Sequence, residues 1–434
     1  MRRLLVLVFF LSTPAFGDSY ALRGTLVTPD EVIENGVLFV QEGKIAGAGA
    51  AVTIPAGTRE IDTGGFIYPG LIDLHNHLTW NVHPRWSPGL TRDRYEWQAM
   101  DSYAVALSGP QAKVRSVAEC DLERFGEVKA LVWGATTVTG SLQQDCSLGL
   151  ARNLDYGNDF GQEPAQYRIF PLELKPEEEA SVRSALASGK PVLMHLAEGT
   201  DASAARELRM ARAHAFLSPG LIIIHGVPLT EQDFDDLGKA GVGLVWSPRS
   251  NIELYGRTTN VAAAKKRVVM AISPDWSPSG SSGMIAELRY AALWSDQQFP
   301  RVFSAKELVQ MATANPATLA RIADKVGRLA KDHLADYVVI RRGARTDAYE
   351  SLIYAGTKDV MLVSVSGRPL FGDLELMQQV NPAAKLEPVR VCGAEKALDM
   401  SDSDNGKGIS FAGTMKNLAA AFDLFQVPMS DLCQ

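Results

Sequence analysis

The sequence predicts an α/β protein whose main domain is a (β/α)8 TIM barrel, joined to a small β-sandwich domain built from both ends of the chain. Two observations predict this arrangement. The middle of the chain alternates short apolar stretches with amphipathic ones, and both ends carry strand-like pieces separated by Gly, Pro and Asn-Gly turns. A chain of 434 residues is long enough for both domains.

Eight strand-like stretches support the barrel. Short apolar strands separated by helical segments at a spacing of roughly 25–30 residues are typical of parallel strands covered by helices. The third stretch carries the weakest strand pattern of the eight. In chain order the stretches are FIYPGLIDLHNH, ATTVTGS, LGLARNLD, QYRIFPLEL, PVLMHLA, GLIIIHG, GVGLVWS and VVMAISPD.

The domain boundaries follow from where this alternation of strands and helices begins and ends. Alternating apolar and polar residues mark strands before the barrel, in YALRGTLVTP and GVLFVQEGKIAGAGA, and again after it, in HLADYVVIRRG and MLVSVSGRPLFG. The sequence therefore predicts the first part of the sandwich over residues 18–65, the barrel over 66–330, the second part of the sandwich over 331–375, and a C-terminal extension over 376–434.

The first 17 residues have the pattern of a cleaved signal peptide. Arg2 and Arg3 precede the apolar run Leu4 to Leu11, and the small-residue motif AFG ends at Gly17. The apolar run is too short to span a bilayer as a helix. We therefore expect an exported protein, periplasmic or secreted, with no membrane attachment once the leader is removed.

Export affects the interpretation of the four cysteines, because an oxidising compartment permits disulfides. Four cysteines allow three pairings. We favour Cys120–Cys146 together with Cys392–Cys433, since each pair then lies within one region of the chain. No C-x-x-C spacing occurs, which disfavours a cysteine metal site.

Composition excludes some classes of partner. Hydrophobic residues make up 46% and charged residues 21% of the chain, as in ordinary globular proteins. The formal net charge is −7 and the basic residues form no block. This pattern argues against nucleic acid or an anionic membrane surface as the main partner and favours a small-molecule substrate.

Histidines gather at the predicted strand ends. His75 and His77 end the first strand, where residues two apart point to the same side. His195 lies in the fifth strand, His225 ends the sixth, and Asp275 ends the eighth. The carboxyl ends of barrel strands converge on one mouth, so we expect these side chains to meet and hold a divalent metal ion. Zinc is the expected ion, with iron or manganese as alternatives.

Several motifs together give the chain a family resemblance. PGLIDLHNH, HLAEG, IIIHG, WSPRSNIEL, SPDWSPSGS and NPATLARIADKVGRLAKDHLADYVVI occur in that order. The chain resembles the amidohydrolase superfamily, in particular its cytosine deaminase and chlorohydrolase-like branch, over about residues 20–375. The resemblance implies the same barrel and sandwich, and an enzyme that hydrolyses a carbon–nitrogen bond or removes a small leaving group from a ring.

The resemblance also implies a role for each matched residue. It makes His75, His77, His195 and Asp275 the ligands of one metal ion. Glu198, in HLAE, matches a glutamate that transfers protons. His225 matches a histidine that polarises the substrate or holds a second metal. These roles agree with general chemistry, because a metal ion lowers the pKa of bound water and carboxylates can carry its protons.

Residues around the predicted mouth are candidates for binding the substrate. Trp80 and Trp97 lie in an aromatic-rich segment after the first strand, and a flat ring could stack on them. Arg249, in WSPRSN, could pair with an anionic group. Trp276 departs from the family pattern, which has small residues after the aspartate.

Two other functions remain open at the level of sequence. A binuclear amidohydrolase that cleaves a peptide or cyclic amide would need a bridging ligand from the fourth strand, and Glu173 and Lys175 lie there. A non-catalytic protein that binds metal or ligand on the same barrel is the other alternative. The sequence does not decide the oligomeric state, a homo-oligomer included.

Overall fold

The fold is taken from a computed structural model. The structure describes residues 19–141, 146, 149–155, 159–161, 165–168, 174–298, 300–403, 407 and 409–434. The expected signal peptide therefore lies outside the described residues. None of the described helices combines the length and the apolar character needed to cross a membrane.

Both ends of the chain build one sheet of nine strands, so the predicted domain from the two ends is confirmed. Its order is β16-β17-β15-β14-β13-β4-β1-β2-β3, and the parallel pair in it is β1 with β4. The strands are β1 (Tyr20–Val27), β2 (Val32–Gln41), β3 (Lys44–Gly49), β4 (Arg59–Pro69), β13 (Tyr337–Ile340), β14 (Val360–Val365), β15 (Arg368–Gly372), β16 (Leu386–Val391) and β17 (Ala394–Asp399).

The eight remaining strands form the barrel, which confirms the predicted fold class. They are hydrogen-bonded in two parallel groups, β5-β6-β7 and β12-β11-β10-β9-β8. The weakly patterned third stretch gives a strand of two residues. The barrel strands are β5 (Leu71–Ile72), β6 (Ala135–Val138), β7 (Arg152–Asn153), β8 (Gln166–Arg168), β9 (Val192–Leu196), β10 (Leu221–His225), β11 (Gly243–Trp246) and β12 (Met270–Ile272).

Hydrogen bonds join the two groups of strands into a closed barrel. On one side the Asp275 amide donates to the His75 carbonyl at 3.0 Å, so the first and eighth strands meet at their carboxyl ends. On the other side the Ala165 amide donates to the Leu154 carbonyl at 2.7 Å. The first contact places two residues of the predicted metal cluster side by side.

Gly70 marks the passage from the sheet to the barrel. Residues 66–69, which the sequence analysis joined to the first barrel strand, are the end of β4 and pair with β13. A Cβ atom at Gly70 would lie 2.1 Å from Thr136 Oγ1, so a side chain does not fit where the chain crosses β6. Glycine therefore lets one continuous segment serve both domains.

Helices cover the outside of the barrel and the loops at its mouth. The long helix α3 packs against α14, which lies in the segment that the sequence analysis named a C-terminal extension. The helices are α1 (Arg94–Gln98), α2 (Asp101–Tyr103), α3 (Gly109–Val132), α4 (Pro176–Ala187), α5 (Ala202–Ala213), α6 (Glu231–Lys239), α7 (Pro248–Tyr255), α8 (Val261–Ala264), α9 (Met284–Asp296), α10 (Ala305–Ala312), α11 (Ala314–Leu319), α12 (Ala348–Ile353), α13 (Leu374–Val380) and α14 (Phe411–Phe425).

Both favoured disulfides are present. Cys120 in α3 pairs with Cys146, and Cys392, in the turn between β16 and β17, pairs with Cys433. The second disulfide fixes the end of the chain, whose Leu432 carbonyl accepts the Trp133 indole N–H at 3.0 Å. The segment after residue 375 is therefore part of the fold, since β16 and β17 extend the sheet and α14 packs on the barrel.

Candidate metal centre

The carboxyl ends of the barrel strands bring the predicted ligands together. His75, His77 and His195 each offer a nitrogen within 4.8 Å of the others, and His75, His225 and Asp275 offer two nitrogens and a carboxylate oxygen within the same distance. Residues that lie up to two hundred positions apart in the chain therefore meet at one point. The mouth of the barrel is where the fold places functional groups.

Four of these side chains face one another at distances that suit a single ion. His75 Nε2 lies 3.0 Å from His195 Nε2 and 3.1 Å from Asp275 Oδ1, and His77 Nε2 lies 3.3 Å from the same oxygen. A tetrahedral zinc ion bonded at about 2.0–2.1 Å has ligand atoms roughly 3.3 Å apart. The four residues therefore fit one divalent ion with little rearrangement.

The charge state of the cluster also suits a metal. Burial lowers the pKa of His75 from its usual 6.5 to about 4, and burial together with the neighbouring rings lowers the pKa of His195 well below 6.5. Burial raises the pKa of Asp275, but His75 and His77 outweigh it and hold that pKa well below its usual range. At neutral pH His75 and His195 therefore present imidazole lone pairs and Asp275 presents a carboxylate, which are the forms that bind metal ions.

The start of α7 orients two of the ligands. Ser247 Oγ lies 2.8 Å from His75 Nδ1, and Ser250 Oγ donates to Asp275 Oδ2 at 2.5 Å. Residues three apart on a helix share a face, which is how both hydroxyls reach the cluster. Such contacts fix the ring and carboxylate that a metal ion requires.

Arg249 does not reach the cluster or the cavity beside it, contrary to its predicted role in binding substrate. Its guanidinium lies over the Tyr290 ring and 3.7 Å from Glu253. The reason is the phase of the helix, because Ser247 and Ser250 occupy the inward face and Arg249 projects from another. The position of Arg249 shortly after a strand end in the sequence did not indicate the direction of its side chain.

Glu198 and His225 lie together beside the four-ligand cluster. The Tyr255 hydroxyl donates to Glu198 Oε1 at 2.6 Å, and His225 Nε2 lies 3.6 Å from Glu198 Oε2. His225 Nδ1 lies 2.8 Å from Asn251 Oδ1, and the Asn251 amide donates to Thr258 Oγ1. This pattern places the proton of neutral His225 on Nδ1 and leaves the Nε2 lone pair facing Glu198.

Strained backbone marks three of the strand ends. Ala197, His225 and Asp275 have φ values of 58°, 75° and 68°, in the left-handed region that residues other than glycine seldom adopt. Asp275 belongs to the four-ligand cluster, His225 lies beside it, and Ala197 immediately precedes Glu198. Strain of this kind costs about 1–3 kcal/mol and persists where the surrounding structure holds a functional geometry.

A cavity of about 270 Å³ opens beside the cluster, and residues 80–103, which we call the lid, cover it. Trp80 and Trp97, the residues predicted to stack on a substrate ring, line it. Trp80 stacks on Tyr103 with ring centres 6.3 Å apart and meets Trp276 edge-on at 5.7 Å. The lining residues are His77, Trp80, Arg94, Trp97, Gln98, Tyr103, His195, Glu198, His225, Leu254, Asp275 and Trp276.

Some residues of the site were not identified from the sequence. Arg94 and Tyr103 reach the cavity from the lid, and Tyr255 reaches Glu198 from the last turn of α7. Ser250 binds Asp275, and Asn251 binds His225. The helical spacing within WSPRSN could have indicated Ser250 and Asn251, whereas the path of the lid could not be derived from its residues.

The structure gives limited support for a second metal ion. His195, Glu198 and His225 form a further group whose ligand atoms lie within 4.8 Å of one another. Lys175 is exposed at the start of α4, and Glu173 lies outside the described residues.

Three comparisons place the chain among known proteins. The amidohydrolase family profile matches residues 66–370. A 5-methylthioadenosine/S-adenosylhomocysteine deaminase of Syntrophobacter fumaroxidans is 25% identical, covering 86% of this chain and 97% of the relative. A zinc-bound adenosine deaminase of Xanthomonas campestris superposes with a TM-score of 0.68 at 17% identity, covering 94% of this chain and 98% of the other.

A second solved structure has the same fold. It is a mutant of the atrazine chlorohydrolase TrzN of Arthrobacter aurescens TC1 complexed with zinc and atraton, with a TM-score of 0.70 at 18% identity, covering 93% of this chain and 99% of the other. The family match spans the larger part of the chain, including every residue of the cluster. The chain therefore belongs to the amidohydrolase family and is a hydrolase that acts on carbon–nitrogen bonds.

Proposed function

We propose that the protein is a mononuclear, zinc-dependent deaminase that removes an amino group, or another small leaving group, from a flat nitrogen-containing ring. The observation that carries this proposal is the position of Glu198. It lies between Tyr255 and His225, beside a cluster that fits one ion, and it lines the same cavity as the aromatic side chains. The deaminase relatives support the same reaction.

The cavity suits a ring rather than an extended chain. Its volume of about 270 Å³ is small for a ligand site, since sites for drug-sized ligands hold about 300–1,000 Å³. Trp80, Trp97, Tyr103 and Trp276 supply aromatic surface, and stacked or edge-on aromatic contacts contribute about 0.5–1.5 kcal/mol each beyond burial. A peptide substrate would need a longer groove, which disfavours the binuclear peptidase alternative.

The chain's own residues can perform the proton transfers of a hydrolytic deamination. A divalent ion, held by His75, His77, His195 and Asp275, supplies Lewis acidity when bound and lowers the pKa of water towards neutrality. Asp275 is ionised and can accept a proton from the attacking water. Its second oxygen is held by Ser250, so its direction is fixed.

Glu198 faces the cavity and can pass one proton of the attacking water to a ring nitrogen, while the proton that Asp275 accepts is given to the departing amine. The water oxygen adds to the ring carbon, the bond from that carbon to the amino nitrogen breaks, and ammonia leaves. The ring then carries an oxygen in place of the amino group. The His225 Nε2 lone pair lies beside the same space and can accept a hydrogen bond from the added oxygen.

We also propose that the protein is exported. The leader-like residues 1–17 support this, and so do the two disulfides, because disulfides persist mainly in oxidising compartments. Fractionation of cells expressing the full chain, followed by N-terminal sequencing, tests the proposal. A chain that begins near Asp18 in the exported fraction is the expected result, and an intact N-terminus in the cytoplasm contradicts it.

Metal content and ammonia release together test the proposed reaction. Elemental mass spectrometry of the purified protein is expected to find close to one zinc ion per chain. A panel of amino-substituted purines, pyrimidines, pterins and triazines is then assayed for ammonia, with a dipeptide and a cyclic amide included. Two ions per chain and turnover of the amides alone would favour the binuclear alternative.

The Glu198→Gln variant separates an enzyme from a binding protein. We expect kcat to fall by about 10²–10⁴-fold, because general acid–base catalysis contributes that much, while zinc is retained. Glu177→Gln, on the exposed face of α4, is the matched control and should behave like the wild type. Full activity of Glu198→Gln would contradict the proposal.

A further inference from the structure

Both carboxylate oxygens of Glu198 face residues linked to the short lid helix α1. Oε1 accepts a hydrogen bond from Tyr255, whose hydroxyl in turn accepts one from the Trp97 indole at 2.9 Å. Oε2 faces the guanidinium of Arg94, with Nη1 3.8 Å away. Arg94 and Trp97 are three residues apart in α1 and therefore share the face turned towards Glu198.

Arg94 also supports the backbone that carries Glu198. Its Nη2 lies 3.0 Å from Glu207 Oε1, and Glu207 Oε2 accepts the Ala197 amide N–H at 2.6 Å. Ala197 has a positive φ and immediately precedes Glu198. The guanidinium thus lies between two buried carboxylates. Glu207 holds the backbone turn at Ala197, and this turn sets the direction of the Glu198 side chain.

The lid is fastened to helix α7 and to two loops of the barrel mouth. Thr91 donates its amide to the Leu254 carbonyl at 2.8 Å, and the Thr200 amide donates to the Arg92 carbonyl at 2.6 Å. The Trp86 amide donates to the Pro278 carbonyl at 2.8 Å. These bonds fix the base of α1, so Arg94 enters the site from a defined direction.

The ion pairs of Arg94 with Glu198 and Glu207 are buried, so their loss should have a large effect. Arg94 is 1% exposed, and Glu198 and Glu207 are 4% and 1% exposed. Removing one partner of a buried ion pair is strongly destabilising, so loss of the Arg94 guanidinium should affect both carboxylates. Burial raises the pKa of Glu207 to about 7, although Arg94 opposes this.

We propose that Arg94 is a positioning residue for the proton-transferring Glu198, and that the lid assembles the catalytic carboxylate when it brings Arg94 and Trp97 into place. The inference rests on the proposed function. Beyond that function, a lid residue that carries no proton in the reaction controls the rate. A displacement of about 1 Å in a reacting group can lower a rate on the order of 10²-fold.

The first test is the Arg94→Met variant, compared with Arg94→Lys and Tyr255→Phe. Arg94→Met is expected to lower kcat on the order of 10²-fold while KM changes by less than about threefold and zinc is retained. Arg94→Lys keeps the charge and should recover part of kcat. Tyr255→Phe removes only a hydroxyl and should lower kcat in the same way even if Arg94→Met folds poorly.

Arg92→Met is the matched control, because Arg92 lies in the same segment with a side chain that is 74% exposed. Its contact with Thr200 is made by the backbone and is retained. Wild-type kinetics are expected. A large rise in KM with unchanged kcat in Arg94→Met would assign Arg94 to substrate binding and overturn the inference.

A double variant separates positioning from mere charge balance. In Arg94→Met with Glu207→Gln, the buried charge of Glu207 no longer needs a partner, so the melting temperature should return towards that of the wild type. We expect kcat to stay low, because Glu198 still lacks its support. Full recovery of kcat together with stability would show that Arg94 only neutralises Glu207, and would overturn the inference.

A crystal structure of the double variant keeps this test independent of the reaction. Glu198 is expected to leave its position 3.6 Å from His225 Nε2. An unmoved Glu198, still bonded to Tyr255, would overturn the inference even if no substrate had been found. Absence of ammonia release by the wild type from every ring amine would instead count against the proposed function.

Discussion

The floor and the lid of the cavity are held together in different ways. The floor, which we define as His75, His77, His195 and Asp275, consists of polar groups fixed by the ends of barrel strands. The lid consists largely of aromatic side chains that pack on one another, as the buried Trp86 and Trp97 and the partly buried Tyr103 do. The floor therefore owes its geometry to the backbone, and the lid owes its geometry to side-chain packing.

This difference assigns separate tasks to the two regions. Strand ends give the floor a fixed geometry, which the chemistry of a metal centre requires. Loops tolerate more change than strands do, so the lid is where substrate selection can vary without loss of the centre. Changes in the floor should remove the reaction altogether, and changes in the aromatic wall of the lid should alter how tightly the substrate binds.

The largest effect is expected from His75→Asn or His77→Asn in the floor. Either change removes a nitrogen that lies about 3 Å from another ligand atom of the cluster, so zinc should fall from about one ion per chain to almost none and turnover should become undetectable. Elemental mass spectrometry and circular dichroism measure metal content and folding. Full zinc occupancy in either variant would show that the floor is not the metal centre.

Acid should destabilise the metal-free floor. The pKa of His75 is about 4 in the folded protein and near 6.5 in the unfolded chain, so the unfolded chain binds more protons between these values. The stability contribution is therefore complete above pH 6.5 and is lost as the pH falls towards 4. From pH 7 to pH 5, His75 alone should lower the free energy of unfolding by about 2 kcal/mol.

Denaturant titrations of the chelator-treated protein at both pH values test this expectation. Metal-free His75→Asn is the matched comparison, because groups outside the cluster titrate alike in both proteins. Its loss of stability between pH 7 and pH 5 should be smaller by about 2 kcal/mol. Equal losses would mean that His75 is not buried in its neutral form.

The contrast between floor and lid also explains what the sequence could reveal. The histidines were identifiable because a strand end fixes both the position and the direction of a side chain, and the barrel rule brings strand ends together. Arg94 and Tyr255 were missed because their positions depend on the path of the lid and the length of α7. No local pattern encodes the three backbone contacts that fasten the lid.

The fold could be predicted from the sequence to about the same extent as the site. Apolar periodicity revealed the eight barrel strands, even β7, which has two residues, but it could not divide β4 from β5. That division depends on Gly70 lying against Thr136, which is a tertiary contact. Arg249 shows the same limit, since its direction depends on the phase of a helix and not on the motif that contains it.

Within the lid, Trp80→Ala should weaken substrate binding and leave the metal in place. The ring stacks on Tyr103 and forms one wall of the cavity. Loss of about 1 kcal/mol of aromatic contact corresponds to a rise in KM of about fivefold. The measurement is KM for the best ring amine of the panel, with zinc content determined on the same sample. Trp80→Phe keeps an aromatic wall and should raise KM less.

The smallest effect is expected from Arg249→Ala, which tests whether Arg249 lies outside the substrate cavity. The side chain contacts Tyr290 and the partly exposed Glu253, and ion pairs of this kind contribute about 0–1 kcal/mol. The Arg249 backbone amide, which donates to Glu287, is unaffected by truncation. We therefore expect KM and kcat within about twofold of the wild type. A rise in KM beyond about fivefold would place Arg249 against the substrate and extend the binding region past the lid onto the outer face of α7.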